Sequence, residues 1–160
     1  MDITMKLAYD SPDEVREIFA EYMDMLLEND PSFAEFLAIQ NYDAELQDLE
    51  YKYGLPHGRL YLAHCNGELA GCIALRRLDD NTGEFKRVYV KPEFRGLHVG
   101  KTMVHKLIED AKEMGYTRLL LDTLPFLETA IQMYKKLGFY EISSYNDSPM
   151  DTSIFLQLDL

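Results

Sequence analysis

The chain has 160 residues, 47% hydrophobic and 28% charged, which fits one globular domain with room for a core. No apolar run approaches the roughly 20 residues of a membrane helix, and no N-terminal segment reads as a secretory signal, so a cytoplasmic location without membrane contact is expected. The formal net charge of −12 argues against nucleic-acid binding, where phosphate repulsion dominates. The imbalance sits in residues 1–50, which hold 14 of the 28 acids against only Lys6 and Arg16. Such a segment either faces a cationic partner or forms the solvated faces of amphipathic helices.

In chain order, Ile3–Tyr9 reads as a strand. Ser11-Pro12-Asp13-Glu14 then opens a helix, with Ser11 as cap, Pro12 in the first turn and Glu14 closing a capping box. Val15, Ile18, Phe19, Tyr22, Met23 and Leu26 recur at helical spacing, and Asp30-Pro31 breaks the pattern. A second helix is expected over Ser32–Gln40, and Tyr42–Gly58 is irregular apart from a short helix near Ala44–Tyr51. Strands follow at Arg59–Cys65, Glu68–Leu78 and Glu84–Val90, joined by the Asn66-Gly67 turn and the cluster at 79–83. Helices over Val99–Met114 and Phe126–Leu137 end at Gly115 and Gly138. Between them Thr117–Asp122 holds the apolar run Leu119-Leu120-Leu121, expected of a strand covered on both faces. Strands at Tyr140–Tyr145 and Ser153–Leu158 close the chain around a turn at Asn146–Asp151.

The strand–helix–strand unit over Glu84–Asp122 implies a parallel crossover, and everything before it reads as antiparallel. The expected fold class is therefore α/β (α+β mixed): one domain, a mostly antiparallel sheet with a parallel centre, and helices on both faces. If Cys65 pairs with Glu68 across the hairpin turn, Tyr61 pairs with Cys72. Both cysteines then share one sheet face, on the order of 13 Å apart and too far for a disulfide. His98 and His105 are about two helical turns apart, so no metal spacing is visible.

The chemistry-bearing segment is Arg95-Gly96-Leu97-His98-Val99-Gly100-Lys101-Thr102. It lacks the G-x-G-x-x-G of a dinucleotide fingerprint and is one residue short of a Walker A loop. A helix start with glycines does suit a pyrophosphate, because its first amides lack internal partners and the backbone can approach closely. Lys86, Arg87, Lys91, Arg95 and Lys101 make this the most basic stretch of an acidic chain.

With Val88-Tyr89-Val90-Lys91-Pro92 upstream, this segment resembles the cofactor motif of the Gcn5-related N-acetyltransferase family, Arg/Gln-x-x-Gly-x-Gly/Ala, with His98 in place of the middle glycine. Ala130-Ile131-Gln132-Met133-Tyr134-Lys135-Lys136-Leu137-Gly138-Phe139 resembles the family's second motif, with Leu127 where an Asn is common. The resemblance covers about residues 59–145, the expected acetyl-coenzyme A core. Residues 1–58 match only in having a strand and two helices, where such proteins build the substrate side.

This resemblance implies an acetyl-coenzyme A-dependent N-acetyltransferase in which the amine attacks the thioester directly, with no metal. It implies cofactor contacts from Val88, Tyr89, Val90 and Arg95 through Thr102, with the backbone N–H of Val90 as oxyanion donor. Glu84 is the implied base; the alternative is a salt bridge or strand-edge charge. An alkylammonium near pKa 10 and an ordinary carboxylate near 4.3 are separated by roughly 8 kcal/mol, so such a base works through water, through burial or on a less basic amine. Tyr134 is the implied acid toward the leaving thiolate; the alternative is an ordinary core tyrosine. The acidic first third suggests a cationic small-molecule or peptide amine, with Asp24, Glu28, Glu35 and Asp43 as candidate acids, and the last two strands are a possible homodimer edge. The competing reading is a non-catalytic acyl-coenzyme A sensor or partner-binding module on the same fold.

Overall fold

A computed structural model describes residues 2–39, 41–146, 148, 150 and 152–160. Seven strands form one sheet: β1 Ile3–Leu7, β2 Arg59–Cys65, β3 Glu68–Asp79, β4 Thr82–Val90, β5 Arg118–Thr123, β6 Tyr140–Ile142 and β7 Ile154–Asp159. Their order is β1-β2-β3-β4-β5-β7-β6, antiparallel throughout except for the parallel pair β4–β5. The helices are α1 Pro12–Asn29, α2 Phe33–Ile39, α3 Tyr42–Gln47, α4 Leu49–Tyr53, α5 Val99–Glu113 and α6 Glu128–Lys136. The mixed α/β class and the parallel centre are as expected. The irregular stretch after Asn41 resolves into two short helices. Gln40 and part of the Asn146–Asp151 turn lie outside the described residues.

Each face of the sheet has its own core. On one, Met103, Val104, Leu107 and Ala111 of α5 pack against Tyr61, Ile73, Leu75, Phe85 and Leu121. On the other, Val15, Ile18 and Phe19 of α1 pack against Leu60, Leu62, Cys72, Ala74 and Tyr89. Side chains alternate between faces along a strand, so each strand supplies both cores, at about 1.5–3 kcal/mol for each large apolar side chain fully buried.

Three local readings change. Asn66 and Gly67 both take positive φ, as a tight hairpin turn requires, and Cys65 does pair with Glu68. A bulge then shifts the register, so that Cys72 pairs with Leu62 and not with Tyr61. One extra residue flips every side chain beyond it. Cys65 therefore joins the α5 core and Cys72 the α1 core, both as free thiols. Secondly, Ser11 precedes α1 without capping it: its hydroxyl accepts from Lys6 Nζ at 2.9 Å, while Glu14 contacts His64 at 2.8 Å. Thirdly, β4 begins at Thr82, and the turn cluster shrinks as Asp79 pairs with Thr82, Arg77 with Gly83 and Arg76 with Glu84.

Candidate active site

β4 pairs with β5 only over Thr82–Arg118, Gly83–Leu119 and Glu84–Leu120. Beyond Glu84 the two strands part, although both continue for several residues. The parting opens a narrow cleft of about 50 Å³, lined from one face by Tyr22, Leu26 and Phe33 and between the strands by Phe85, Val88 and Leu121. Strand β4 is further distorted at Arg87, a non-glycine residue with φ of 57° and the register shift that goes with it. A bulge here puts Lys86 and Arg87 on one side together, where regular alternation would separate them.

The amides of β4 follow from the same geometry. Lys91 N–H donates to Ala70 O at 2.8 Å, toward β3. Backbone direction alternates along an extended strand, so the N–H groups of Val90 and Val88 turn to the opposite, open edge. Of these two residues Val88 lines the cleft, whereas Val90 packs its side chain 3.6 Å from the site a Gly100 Cβ would take.

The phosphate-type turn lies at the end of this open edge. Pro92–Phe94 forms a short 3-10 turn, and Gly96 takes φ of +79° with open space around it. His98 precedes α5 in the left-handed region, φ 66° and ψ 17°. Histidine is among the residues that tolerate this region, so it adopts the backbone expected of the glycine it replaces. Its carbonyl accepts Thr102 N–H at 3.0 Å and Thr102 Oγ1–H at 2.8 Å. No side chain caps α5 and no acid sits in its first turn, so its leading amides face outward without a competing carboxylate.

The five cations of the basic stretch divide. Lys91 lies 2.8 Å from Glu17 and 3.7 Å from Glu21, Lys86 lies 4.0 Å from Asp122, and Arg87 forks onto Glu45 at 2.8 and 2.9 Å. These three answer acids on the α1–α4 side or in β5. Arg95 and Lys101 remain exposed at the turn, and Arg95 folds back to donate to Val90 O at 3.2 Å. Of the five cations read along the sequence two thus remain at the turn, because strand direction and the bulge send the other three across the sheet. Tyr89 also faces α1: its hydroxyl donates to Glu21 at 2.8 Å and its ring meets Tyr22 at 5.3 Å.

Tyr134 is buried to 4% exposure, its ring 5.5 Å from that of Phe139. Burial, and then the proximity of Tyr22, push its phenol well above the ordinary tyrosine range. Tyr134 comes from α6 and Tyr22 from α1, on opposite sides of the sheet.

Glu84, 3% exposed, sits where the strands begin to part. Tyr145 O–H donates to its Oε2 at 2.5 Å, and Arg76 Nε lies 3.0 Å from its Oε1. Burial and the Glu84 charge push the Tyr145 phenol far up, so Tyr145 stays a donor. Glu84 lines a second, larger cleft of about 590 Å³ with Glu45, Lys52, Arg76, Lys86 and Tyr145. The two clefts meet at Lys86. At its deep end Glu45 holds Arg87 and also Lys52 at 2.9 Å. Burial raises the Glu45 carboxyl, but Arg87 and Lys52 outweigh it and hold that carboxyl below its ordinary value.

Asp24, Glu28, Glu35 and Asp43 are exposed, and none of them lines either cleft. Sequence reading also passed over Arg76 and Tyr145. The signal for Arg76 was present as an opposite charge across the hairpin from Glu84, but only the register makes the two neighbours. Tyr145 had no signal, since it reaches Glu84 from 61 residues away. Among the described residues no group of three or more His, Cys, Asp or Glu side chains converges on a metal site.

The family model described as "Acetyltransferase (GNAT) family" matches residues 14–139. The chain is similar to an uncharacterized N-acetyltransferase of Dictyostelium discoideum, at 31% identity over 96% of each chain. It is likewise similar to an uncharacterized N-acetyltransferase of Schizosaccharomyces pombe, at 33% identity over 92% of this chain and 88% of that one. Its fold matches the crystal structure of a PaiA N-acetyltransferase from Thermoplasma acidophilum in complex with coenzyme A, with a TM-score of 0.77, 17% identity and full coverage of both chains.

Proposed function

The chain belongs to the acetyltransferase (GNAT) family, and on that premise we propose that it transfers the acetyl group of acetyl-coenzyme A to a primary amine of a small molecule or peptide by direct attack. The observation that carries this reading is the parting of β4 from β5 after Glu84–Leu120, continuous with the uncapped start of α5. An open strand edge suits an amide-bearing arm, and a helix start free of acids suits a pyrophosphate. Gly96 fits such a ligand, since its φ excludes most side chains and nothing crowds it.

In this reading Arg95 and the turn from Gly96 to Lys101, with Thr102, hold the phosphates, and the backbone of Val88, Tyr89 and Val90 pairs with the pantetheine arm. Val88 N–H is the better-placed oxyanion donor, because Val88 lines the cleft between the strands and Val90 lies farther along at the start of α5. Tyr134 reaches the thiol leaving group as a hydrogen-bond donor, a role that its raised phenol supports. Glu84 lies four residues before Val88 on the same strand, on the order of 10–13 Å. At that distance Glu84 takes the ammonium proton through water.

A free-thiol release assay with acetyl-coenzyme A across a broad amine panel tests the proposal. Amine-dependent thiol release is the expected result. Stabilisation of the fold by acetyl-coenzyme A without thiol release from any amine would replace this reading by that of an acyl-coenzyme A sensor.

A further inference from the structure

Each carboxylate that lines the larger cleft accepts at least one hydrogen bond within the protein. Glu84 has Tyr145 on one oxygen and Arg76 beside the other. Glu45 receives the fork of Arg87 and the Nζ of Lys52. Asp48, at the rim, accepts Tyr51 N–H at 3.2 Å. Arg76 is in the opposite condition. Its Nε is buried 3.0 Å from Glu84 Oε1 without the alignment of a hydrogen bond. Its terminal nitrogens have no acceptor among the described residues, and its side chain is 35% exposed to the cleft. A guanidinium carries five N–H donors in a planar fork that matches a carboxylate. An unused guanidinium fork complements an anion, and the four exposed acids of the first third lie outside this cleft.

We propose that the amine acceptor carries a carboxylate, which the terminal nitrogens of Arg76 receive. This assignment rests on the acetyl-transfer reading above and specifies its acceptor. Arg76 faces Glu84 at the point where β4 leaves β5, so a carboxylate held there leaves the amine end directed past Lys86 into the cleft between the strands. The ammonium nitrogen forms a bond to the acetyl carbon and the carbon–sulfur bond breaks. Of the two protons the nitrogen loses, one ends on the thiol and one in solvent.

The test is thiol release by the full chain with acetyl-coenzyme A and 3-aminopropanoate, 4-aminobutanoate, 6-aminohexanoate and an α-amino acid. Each is compared with its methyl ester and with a diamine of matched length. The best carboxylate amine is expected to exceed its ester and the diamine at least about tenfold in kcat/KM, the worth of a charge-assisted hydrogen bond. Arg76→Gln is expected to raise KM for that amine about ten- to a hundredfold and to leave KM for the ester within about threefold. If this variant does not fold, the wild-type ratio decides, and Arg76→Lys, which keeps the charge and loses the fork, is expected to give an intermediate one. Preference for the ester or the diamine, or an unchanged ratio in Arg76→Gln, overturns the carboxylate assignment while acetyl transfer stands. Absence of thiol release with every amine overturns acetyl transfer and this assignment with it.

Discussion

The two faces of the sheet solve different problems with different materials. The α5 side is apolar and local: the strand, the turn and the helix that present the phosphate-type site follow one another within residues 82–113. The α1–α4 side adds to its own apolar core a polar assembly of distant parts. Arg87 meets Glu45 across 42 residues and Tyr145 meets Glu84 across 61. A cofactor that is the same in every turnover suits a site made from backbone amides, which any sequence supplies once the turn is formed. An acceptor that must be distinguished from other amines needs side chains with directional charge, and these come from wherever the fold can bring them.

The largest expected effect lies on the polar side. Glu45→Ala removes the carboxylate that Arg87 and Lys52 share in a buried setting, which is expected to cost about 3–5 kcal/mol of stability in urea unfolding. Replacing the pair together, as Glu45→Leu with Arg87→Met, is expected to recover most of that loss. A loss below about 1 kcal/mol for Glu45→Ala would erase the distinction drawn between the faces.

Between the faces, Tyr134→Phe is expected to lower kcat about tenfold or more and to change acetyl-coenzyme A affinity much less, because in the proposed reaction the hydroxyl serves the leaving group while the ring belongs to the core. Unchanged turnover would assign Tyr134 to the core alone.

A smaller effect follows from the Glu45 carboxyl, which the folded state holds below its ordinary value of 4.5. A depressed carboxyl contributes stability that is fully present above that value and is lost as pH falls through the folded one. The stability gap between wild type and Glu45→Gln is therefore expected to narrow as pH drops below 4.5. A gap that widens in acid contradicts the ion triad. The smallest effect is expected on the amide-built side: His98→Gly keeps the left-handed backbone, so coenzyme A affinity by calorimetry is expected to change by less than about threefold. A large loss would give the imidazole a direct part in binding.

Much of the α5 side was legible because it is encoded locally. Helical spacing, the apolar run at Leu119–Leu121 and two motifs in order locate β4, α5, β5 and α6 to within a few residues. Less was legible where one residue changes the register. The bulge between Cys65 and Cys72 separated two cysteines expected on one face, and the bulge at Arg87 carried cations away from the turn they were expected to serve. The acidic first third is consistent along the sequence with either a cationic partner or solvated helix faces. Part of it instead answers the protein's own bases, as Glu17 does Lys91 and Glu45 does Arg87, and the acids named as candidates face solvent outside the clefts.

The turn at Arg95–Thr102 and the crossover that follows it are properties of the sequence by itself, since backbone conformation and hydrophobic period are decided by near neighbours. Which side chains meet in the larger cleft is not. Tyr145 carries no signal toward Glu84 along the chain and Arg76 only an opposite charge across the hairpin, and the three are joined only when strand register and the path after β6 are fixed by the packing of the whole sheet.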